Sequence, residues 1–205
     1  MKRIRLEELL DSATELSAFR DLIAGGGLAA IPTETFYGLA VAPDDAEAVE
    51  RVFALKGRPE EKALLVLGAS IAQLGRLVAV PPEWGDRLAA AWPAPLTVVL
   101  PALAPLAAAG PGATLAVRVP GHALLRALLE VVGPLTATSA NRSREQALSD
   151  PEEVARALGG EIALLLDGGR VPGGAPSTVV DLAGGRARVL RTGAWELPLA
   201  WGVHL

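Results

Sequence analysis

The stretch from Gly25 to Lys62 contains the residues best suited to ligand chemistry. A short apolar segment, residues 28–31, ends at Pro32, which cannot donate a backbone hydrogen bond within a sheet. Three hydroxyl side chains and a carboxylate follow at once, namely Thr33, Glu34, Thr35 and Tyr37. Because α/β folds place ligand sites where strands end, this pattern predicts a ligand site directly after the segment.

A second polar group follows within the same stretch. Lys56, Arg58 and Lys62 lie in one short loop that also holds a glycine and a proline, and the chain has one further lysine, Lys2. A compact ammonium suits a point contact with an anion, whereas a guanidinium suits a forked contact. Hydroxyl donors followed by clustered cations therefore indicate an anionic ligand that carries phosphates.

Several other polar positions leave a ligand contact and a structural role open. Arg118 lies within an apolar segment, so it needs an anionic partner, either a structural acid or a ligand carboxylate. Ser139 and Asn141 either make a turn or face a ligand, and Arg191 either holds a phosphate or is a solvated charge. Glu34 is either a general base or, as we favour, a structural hydrogen-bonding group.

The composition excludes several classes of protein. The 205 residues are 51% hydrophobic with a mean hydropathy of +0.36, enough to bury a substantial core. The net charge of −4 argues against broad nonspecific binding to nucleic acid. The absence of cysteine excludes disulfides, thiolate metal sites and thiol nucleophiles. The amino-terminal residues lack an apolar signal core and no stretch predicts a membrane span, so we expect a soluble, cytoplasmic protein.

Predicted strands alternate with predicted helices along the chain. The predicted strands cover residues 28–31, 63–67, 96–100, 115–119, 135–138, 162–166, 177–182 and 187–190. The predicted helices cover residues 6–10, 18–24, 45–55, 70–77, 82–91 and 123–132, with a last one from residue 150. This alternation predicts a single α/β domain over residues 1–205, built on a twisted mixed sheet with flanking helices. We expect residues 101–113 to form an ordered surface loop.

Seven short motifs occur in an order that is typical of one family. They are Pro32-Thr-Glu-Thr-Phe-Tyr-Gly-Leu39, Lys56-x-Arg58-Pro59, Trp92-Pro-Ala-Pro-Leu-Thr97, Val117-Arg-Val-Pro120, Thr138-Ser-Ala-Asn-Arg-Ser143, Pro176-Ser-Thr-Val-Val-Asp181 and Arg191-Thr-Gly193. Each motif alone is weak, but their order closely resembles the YrdC-type threonylcarbamoyl-AMP synthases. The match runs from about Gly25 to Gly193, and the length resembles the short, single-domain bacterial (TsaC-like) form.

The resemblance implies both a reaction and a cavity. L-Threonine, bicarbonate and ATP would give threonylcarbamoyl-adenylate and pyrophosphate in a large, positively lined cavity of a YrdC-like fold. ATP would be a substrate that brings Mg²⁺ with it, and no protein-bound metal is predicted. Partner proteins would then move the threonylcarbamoyl group to adenosine 37 of tRNAs that read codons beginning with A. Direct contact with tRNA would be weak.

The resemblance also implies roles for individual residues. Lys56 and Arg58 would be catalytic, neutralising the phosphates. The residues implied for ATP are Lys56, Arg58, Lys62, Thr114, Ser139, Asn141, Ser149 and Arg191. The residues implied for threonine are Thr33, Thr35, Arg118, Thr138 and Ser177. The reaction needs held reactants and cations against phosphate charge more than a side-chain nucleophile, so a site without histidine or cysteine suits it.

Four positions depart from the family pattern. Ala63 stands where many relatives have proline, and Leu67 stands where some have histidine. Ala94 and Arg144 both replace glycine. None of these changes removes the lysine, arginine, serine and asparagine set. The loops at residues 101–113 and 168–174 are the predicted lids of the cavity.

Two other functions remain open at this point. The first is an RNA-binding module with a basic face formed by Arg142, Arg144, Arg170, Arg186 and Arg188, although the net charge and the lack of interleaved aromatic residues weigh against it. The second is a carbamoyl-adenylate-forming domain, which would use carbamoyl phosphate in place of threonine.

Overall fold

The computed structural model describes residues 1–57, 63–110, 112–143, 145–184 and 186–202. Its helices are α1 (Leu6–Asp11), α2 (Ala13–Ala24), α3 (Ala46–Lys56), α4 (Ile71–Leu74), α5 (Pro82–Ala91), α6 (Ala123–Val132) and α7 (Pro151–Leu158), with a short 3-10 helix at Leu199–Trp201. Side-chain caps explain several of the starts, as at Asp45, whose carboxylate accepts the N–H of Ala48. Helix α2 begins before the predicted residue 18 because Ser12 is its cap, with its hydroxyl accepting the N–H of Glu15.

The strands form two mixed sheets within the described residues. In chain order they are β1 (Lys2–Arg5), β2 (Ala29–Pro32), β3 (Tyr37–Ala40), β4 (Leu65–Leu67), β5 (Leu96–Pro101), β6 (Thr114–Arg118), β7 (Leu135–Thr136), β8 (Thr138–Ser139), β9 (Leu164–Asp167), β10 (Thr178–Asp181) and β11 (Arg188–Arg191). The first sheet has the order β1-β9-β2-β3-β8, and the second has the order β11-β10-β5-β6-β4-β7. The predicted α/β class with mixed strand directions is confirmed, and the strands divide between two sheets where the sequence predicted one.

Two clusters of buried side chains hold these elements together. One joins residues of both sheets, such as Leu39 and Val117, to helices α3, α5 and α7. The other packs the second face of the first sheet, including Ile31 and Leu166, against α1, α2 and α6. Because both faces of the first sheet are covered, its central strands are apolar on both sides. The second sheet buries one face and leaves part of the other open.

The open face of the second sheet is visible in the alternation along β6. Leu115 and Val117 are completely buried in the core, whereas Thr114 and Ala116 point to the opposite face and are half-buried. Successive side chains of a strand point to opposite faces, so Arg118 shares the face of Thr114 and Ala116. This face forms the floor of the cavity described next.

Candidate functional site

A cavity of about 420 Å³ lies over the open face of the second sheet. Its floor comes from strands β4, β5, β6, β10 and β11, and one wall comes from the turn between β2 and β3. The lining residues are Thr33, Thr35, Phe36, Tyr37, Ala63, Leu65, Thr97, Val99, Ala116, Arg118, Ala137, Thr138, Ser139, Ala147, Pro176, Ser177, Val179, Leu190 and Arg191. The lining therefore contains two arginines and seven hydroxyl-bearing residues, and the rest of it is apolar.

The turn after β2 is held by its own threonines. The Thr33 hydroxyl donates to the Phe36 carbonyl (2.7 Å) and accepts the N–H groups of Thr35 (3.1 Å) and Phe36 (3.2 Å). Local bonds of this kind from a threonine hydroxyl to nearby backbone groups stabilise turns. The Thr33 and Thr35 hydroxyls are 3.1 Å apart, and Gly173 donates its N–H to the Thr35 carbonyl (2.8 Å). Two buried hydroxyls are thereby fixed at the cavity wall.

We call one side of the cavity the arginine end, and it comprises Arg118, Arg191, Glu34, Thr97 and Ser177. Arg118 is only 3% exposed, and its Nη1 lies 3.4 Å from Glu34 Oε1. Burial lowers the pKa of Arg118, with Glu34 opposing this effect and the nearby positive charge of Arg191 adding to it. Glu34 is thus the acidic partner that the apolar strand required, although the pair is too long to be a charge-assisted hydrogen bond.

Arg191 continues the arginine end through a chain of hydroxyl groups. Its Nε donates to the Ser177 carbonyl (3.0 Å) and its Nη2 donates to the Ser177 hydroxyl (3.1 Å). The Ser177 hydroxyl in turn lies 2.9 Å from that of Thr97. Burial lowers the pKa of Arg191 as well. Two partly desolvated guanidinium groups that repel one another form a site that an anion would stabilise.

A second group of residues, which we call the lysine end, comprises Ser139 of the cavity lining together with Lys56 and Asn141, which contact it or follow it in the chain. Lys56 closes helix α3, is 4% exposed, and donates from Nζ to the Ser139 carbonyl (2.6 Å), the Asn141 carbonyl (2.9 Å) and Asn141 Oδ1 (3.2 Å). The Asn141 amide then donates to the carbonyls of Arg142 and Glu145. The Lys56 ammonium therefore holds the end of β8 and the segment after it in place.

The structure brings most of the predicted threonine and ATP residues to one cavity. Those that line it are Thr33, Thr35, Arg118, Thr138, Ser139, Ser177 and Arg191. Lys56 and Asn141 lie directly behind Ser139, and Thr114 is on the cavity face of β6 without lining the cavity. Ser149 lines a separate surface groove with Arg156 and Arg170. Arg58, Lys62 and Arg144 lie outside the described residues.

The sequence did not predict Thr97 as a residue of this site, and it predicted a different contact for Glu34. Thr97 was noted only as the end of a motif, yet it is a polar residue within an apolar strand, the same signal that singled out Arg118. Glu34 was expected to make a structural hydrogen bond, but neither of its carboxylate oxygens has a hydrogen-bond partner among the described residues. Its observed role is an ion pair.

The departures from the family pattern have different surroundings. Ala63 lines the cavity, and it packs so closely that a Cβ on Gly110 would lie 2.9 Å from its own Cβ. Leu67 and Ala94 are buried in the core.

The segment 168–174 is tied to the site because Gly168 donates its N–H to the Tyr37 hydroxyl (3.1 Å), which itself donates to the Gly169 carbonyl (2.8 Å).

Other functional classes find little support in the described residues. The arginines of the predicted basic face are largely engaged by acids, in the pairs Arg142–Glu161, Arg170–Asp150 and Arg188–Asp181. Within the described ranges, no three histidine, aspartate or glutamate side chains converge as metal ligands. Among the helices of the same ranges, none has the length and apolar character to cross a bilayer.

Comparison with known proteins gives a consistent result. The family model Sua5/YciO/YrdC, described as "Telomere recombination", matches residues 21–193. The chain is 44% identical over 147 residues to a threonylcarbamoyl-AMP synthase of Halorhodospira halophila, covering 70% of this chain and 77% of that protein. It is 38% identical over 174 residues to one from Pseudomonas syringae, covering 83% of this chain and 93% of that protein.

A solved structure agrees with these sequence relatives. The structure of Pyrococcus abyssi Sua5 complexed with L-threonine superposes with a TM-score of 0.85 at 34% identity, covering 99% of this chain. The present chain spans 61% of that longer chain. The similarity therefore extends over nearly all of the two-sheet fold that carries the cavity.

Proposed function

The chain belongs to the Sua5/YciO/YrdC family, and from this premise we propose that it is a threonylcarbamoyl-AMP synthase. L-Threonine, bicarbonate and ATP would give threonylcarbamoyl-AMP, pyrophosphate and water. The observation that carries the proposal is the arginine end of the cavity, where two partly desolvated guanidinium groups stand among buried hydroxyls. An amino acid with a carboxylate and a hydroxyl is complementary to such a lining.

Threonine is proposed to bind with its carboxylate on Arg118. The Nε of Arg118 has no hydrogen-bond partner among the described residues, and a guanidinium can hold a carboxylate through two parallel bonds. The hydroxyls of Thr33, Thr35, Thr138 and Ser177 surround this position and can bind the amine and hydroxyl of the substrate. A site that hydrogen-bonds a substrate hydroxyl discriminates strongly against analogues that lack it.

ATP is proposed to occupy the rest of the cavity. The half-buried floor of Leu65, Val99 and Val179 offers an apolar surface for the nucleobase. The phosphates would lie toward Ser139 and Arg191, with Lys56 and Asn141 supporting that segment. Arg58, Lys62, Thr114 and Ser149 complete the proposed ATP set. No carboxylate lines the cavity in the described residues, so Mg²⁺ is proposed to arrive on the phosphates rather than on protein ligands.

The chemistry follows from holding three reactants together. The threonine amine attacks the carbon of bicarbonate and water leaves, which gives a carbamate. A carbamate oxygen then attacks the α-phosphorus of ATP, and the bond to pyrophosphate breaks. Neither step requires a protein nucleophile, so the contribution of the site is orientation together with positive charge against the developing phosphate charge. Partner proteins would then transfer the threonylcarbamoyl group to adenosine 37 of tRNA.

Pyrophosphate release from ATP tests this function. With bicarbonate present, we expect release that depends on L-threonine and that L-serine supports less well. Folded protein that binds ATP but releases no pyrophosphate with any amino acid would refute the proposal. Release with carbamoyl phosphate in place of threonine would instead identify a carbamoyl-adenylate-forming domain, and salt-sensitive RNA binding without ATP turnover would identify an RNA-binding module.

A further inference from the structure

Glu34 is placed unusually for a residue between two cavity threonines. Thr33 and Thr35 both line the cavity, whereas Glu34 does not, and its carboxylate approaches Arg118 from outside the cavity. Both carboxylate oxygens are shielded from solvent and have no hydrogen-bond partner among the described residues. Burying a carboxylate without hydrogen bonds costs free energy of folding. The position of Glu34 beside Arg118 therefore suggests that its charge has a role at the site.

The neighbouring backbone makes room for this carboxylate. A Cβ built on Gly121 would lie 3.3 Å from Glu34 Cγ, which is tighter than an ordinary van der Waals contact. Glycine at this position therefore lets the Glu34 side chain reach Arg118. The two charged groups then meet at 3.4 Å as an ion pair without a hydrogen bond.

Glu34 also sets the net charge of the arginine end. Among the described residues, the cavity lining contributes two positive charges there, Arg118 and Arg191, and no negative charge. Glu34 cancels one of the two, which leaves a single positive charge. One carboxylate then balances the site completely, whereas a phosphate dianion does not.

We propose that Glu34 is a specificity-determining residue that offsets the charge of Arg118, so that this guanidinium takes an amino-acid carboxylate in preference to a phosphate while Arg191 stays available to the phosphates of ATP. This inference rests on the proposed function, because it assumes that an amino acid and a nucleotide share the cavity. Without such a limit, the phosphates of ATP or the pyrophosphate product would compete for Arg118. Attraction grows with the product of the charges, so an added positive charge favours a dianion over a monoanion.

The test compares L-threonine and inorganic phosphate at pH 8, with dissociation constants measured by calorimetry on full-length protein. In Glu34→Gln we expect the ratio of the phosphate constant to the threonine constant to fall by about tenfold, since the substitution keeps the shape and removes the charge. Glu153→Gln, which makes the same change of net charge in the surface groove, should leave the ratio unchanged. The shift in Glu34→Gln with no shift in Glu153→Gln would establish the inference.

A second variant covers the case in which Glu34→Gln fails to fold. Gly121→Ala keeps the charge but pushes the Glu34 side chain away from Arg118, so a smaller shift in the same direction is expected. An unchanged ratio in a folded variant, or loss of threonine binding in folded Glu34→Gln, would overturn the inference. Failure of the wild type to bind threonine would instead overturn the proposed function on which the inference rests.

Discussion

The arginine end and the lysine end of the cavity use their cations in different ways. At the arginine end, Arg118 meets its acidic partner at 3.4 Å and retains an Nε without a hydrogen-bond partner in the described residues. At the lysine end, the ammonium of Lys56 lies within 2.6–3.4 Å of backbone and side-chain oxygens of Ser139 and Asn141. Arg118 therefore retains a donor that can bind a ligand, whereas Lys56 donates its hydrogens to other parts of the protein.

The difference shows that a cation in a family motif does not define a role by itself. An ammonium has three donors, and those of Lys56 point to the segment that presents Ser139 and Asn141. Lys56 was predicted to neutralise phosphate directly. Its contacts favour the additional role of fixing the segment that the phosphates would meet, and variants of the two ends can separate these roles.

The largest effect is expected for Arg118→Met. Loss of the guanidinium removes the proposed partner of the threonine carboxylate and leaves Glu34 buried without its cation, so the dissociation constant for L-threonine should rise on the order of 100-fold or more. Arg118→Lys retains the charge but not the fork, and it should fall between Met and the wild type. Calorimetric titration measures both variants. If folded Arg118→Met bound threonine within a few-fold of the wild type, Arg118 would not be a ligand-binding cation, and the proposed difference between the two ends would be wrong.

The next largest effect is expected for Lys56→Met. Adenylate formation should fall by about 10- to 100-fold because the segment after β8 loses its ammonium anchor, while threonine affinity should change little. Hydrogen exchange of the amides of residues 139–143 should accelerate in the variant. Lys56→Arg should not restore the rate, since a planar guanidinium cannot donate to the same oxygens of Ser139 and Asn141 from a single nitrogen. A normal rate in Lys56→Ala, or unchanged amide exchange in Lys56→Met, would contradict this role.

The contrast between the ends also shows what the sequence can predict. The burial of Arg118 follows from its place in an apolar strand, and its need for an acid follows from the cost of burying a charge. The identity of that acid could not be predicted, because it depends on how the β2–β3 turn meets the end of β6 in space. Similarly, the motif order predicts which residues share a site, but the pattern of Lys56 contacts depends on the packing of α3 beneath β8.

The division into two sheets has a comparable explanation. Strand β1 was missed because Lys2–Arg5 is mostly exposed and has no apolar alternation, and it exists through parallel pairing with β9. Strand β3 is not among the predicted strands, and it forms because it pairs with β2 and because Gly38 pairs with Ser139 of β8. Pairings between segments distant in sequence are set by the tertiary fold, and local patterns carry little information about them.

A smaller effect is expected for Thr178→Val, which tests how the arginine end is held. The buried Thr178 hydroxyl accepts the N–H groups of Gly193 (3.0 Å) and Trp195 (3.2 Å) and donates to the Trp195 carbonyl (2.6 Å). These bonds join the start of β10, directly after Ser177, to the segment after Arg191. Valine keeps the shape but removes the partner of three part-buried backbone groups, so the free energy of unfolding should fall by about 2–3 kcal/mol.

Denaturant unfolding measures that loss, and threonine titration measures its consequence at the site. We expect a several-fold weaker threonine affinity in Thr178→Val and recovery in Thr178→Ser, which retains the hydroxyl. Thr136→Val is a matched control because Thr136 is also fully buried and its hydroxyl bonds the backbone at Leu39 and Val41. Equal losses of threonine affinity in the two valine variants would show that Thr178 acts through stability alone.

The smallest effect is expected for Thr97→Val, which removes the last hydroxyl of the chain that runs from Arg191 through Ser177 to Thr97. The Ser177 hydroxyl would lose its 2.9 Å contact with Thr97 but would keep the bond from Arg191, so no buried group is left wholly unpaired. Valine is favourable in a strand. The binding free energy of threonine should therefore weaken by about 1 kcal/mol or less, which corresponds to roughly a fivefold weaker affinity. Titration alongside Arg118→Met checks the ranking. A loss in Thr97→Val as large as in Arg118→Met would mean that the hydroxyl chain, rather than the guanidinium charge, dominates binding at this end.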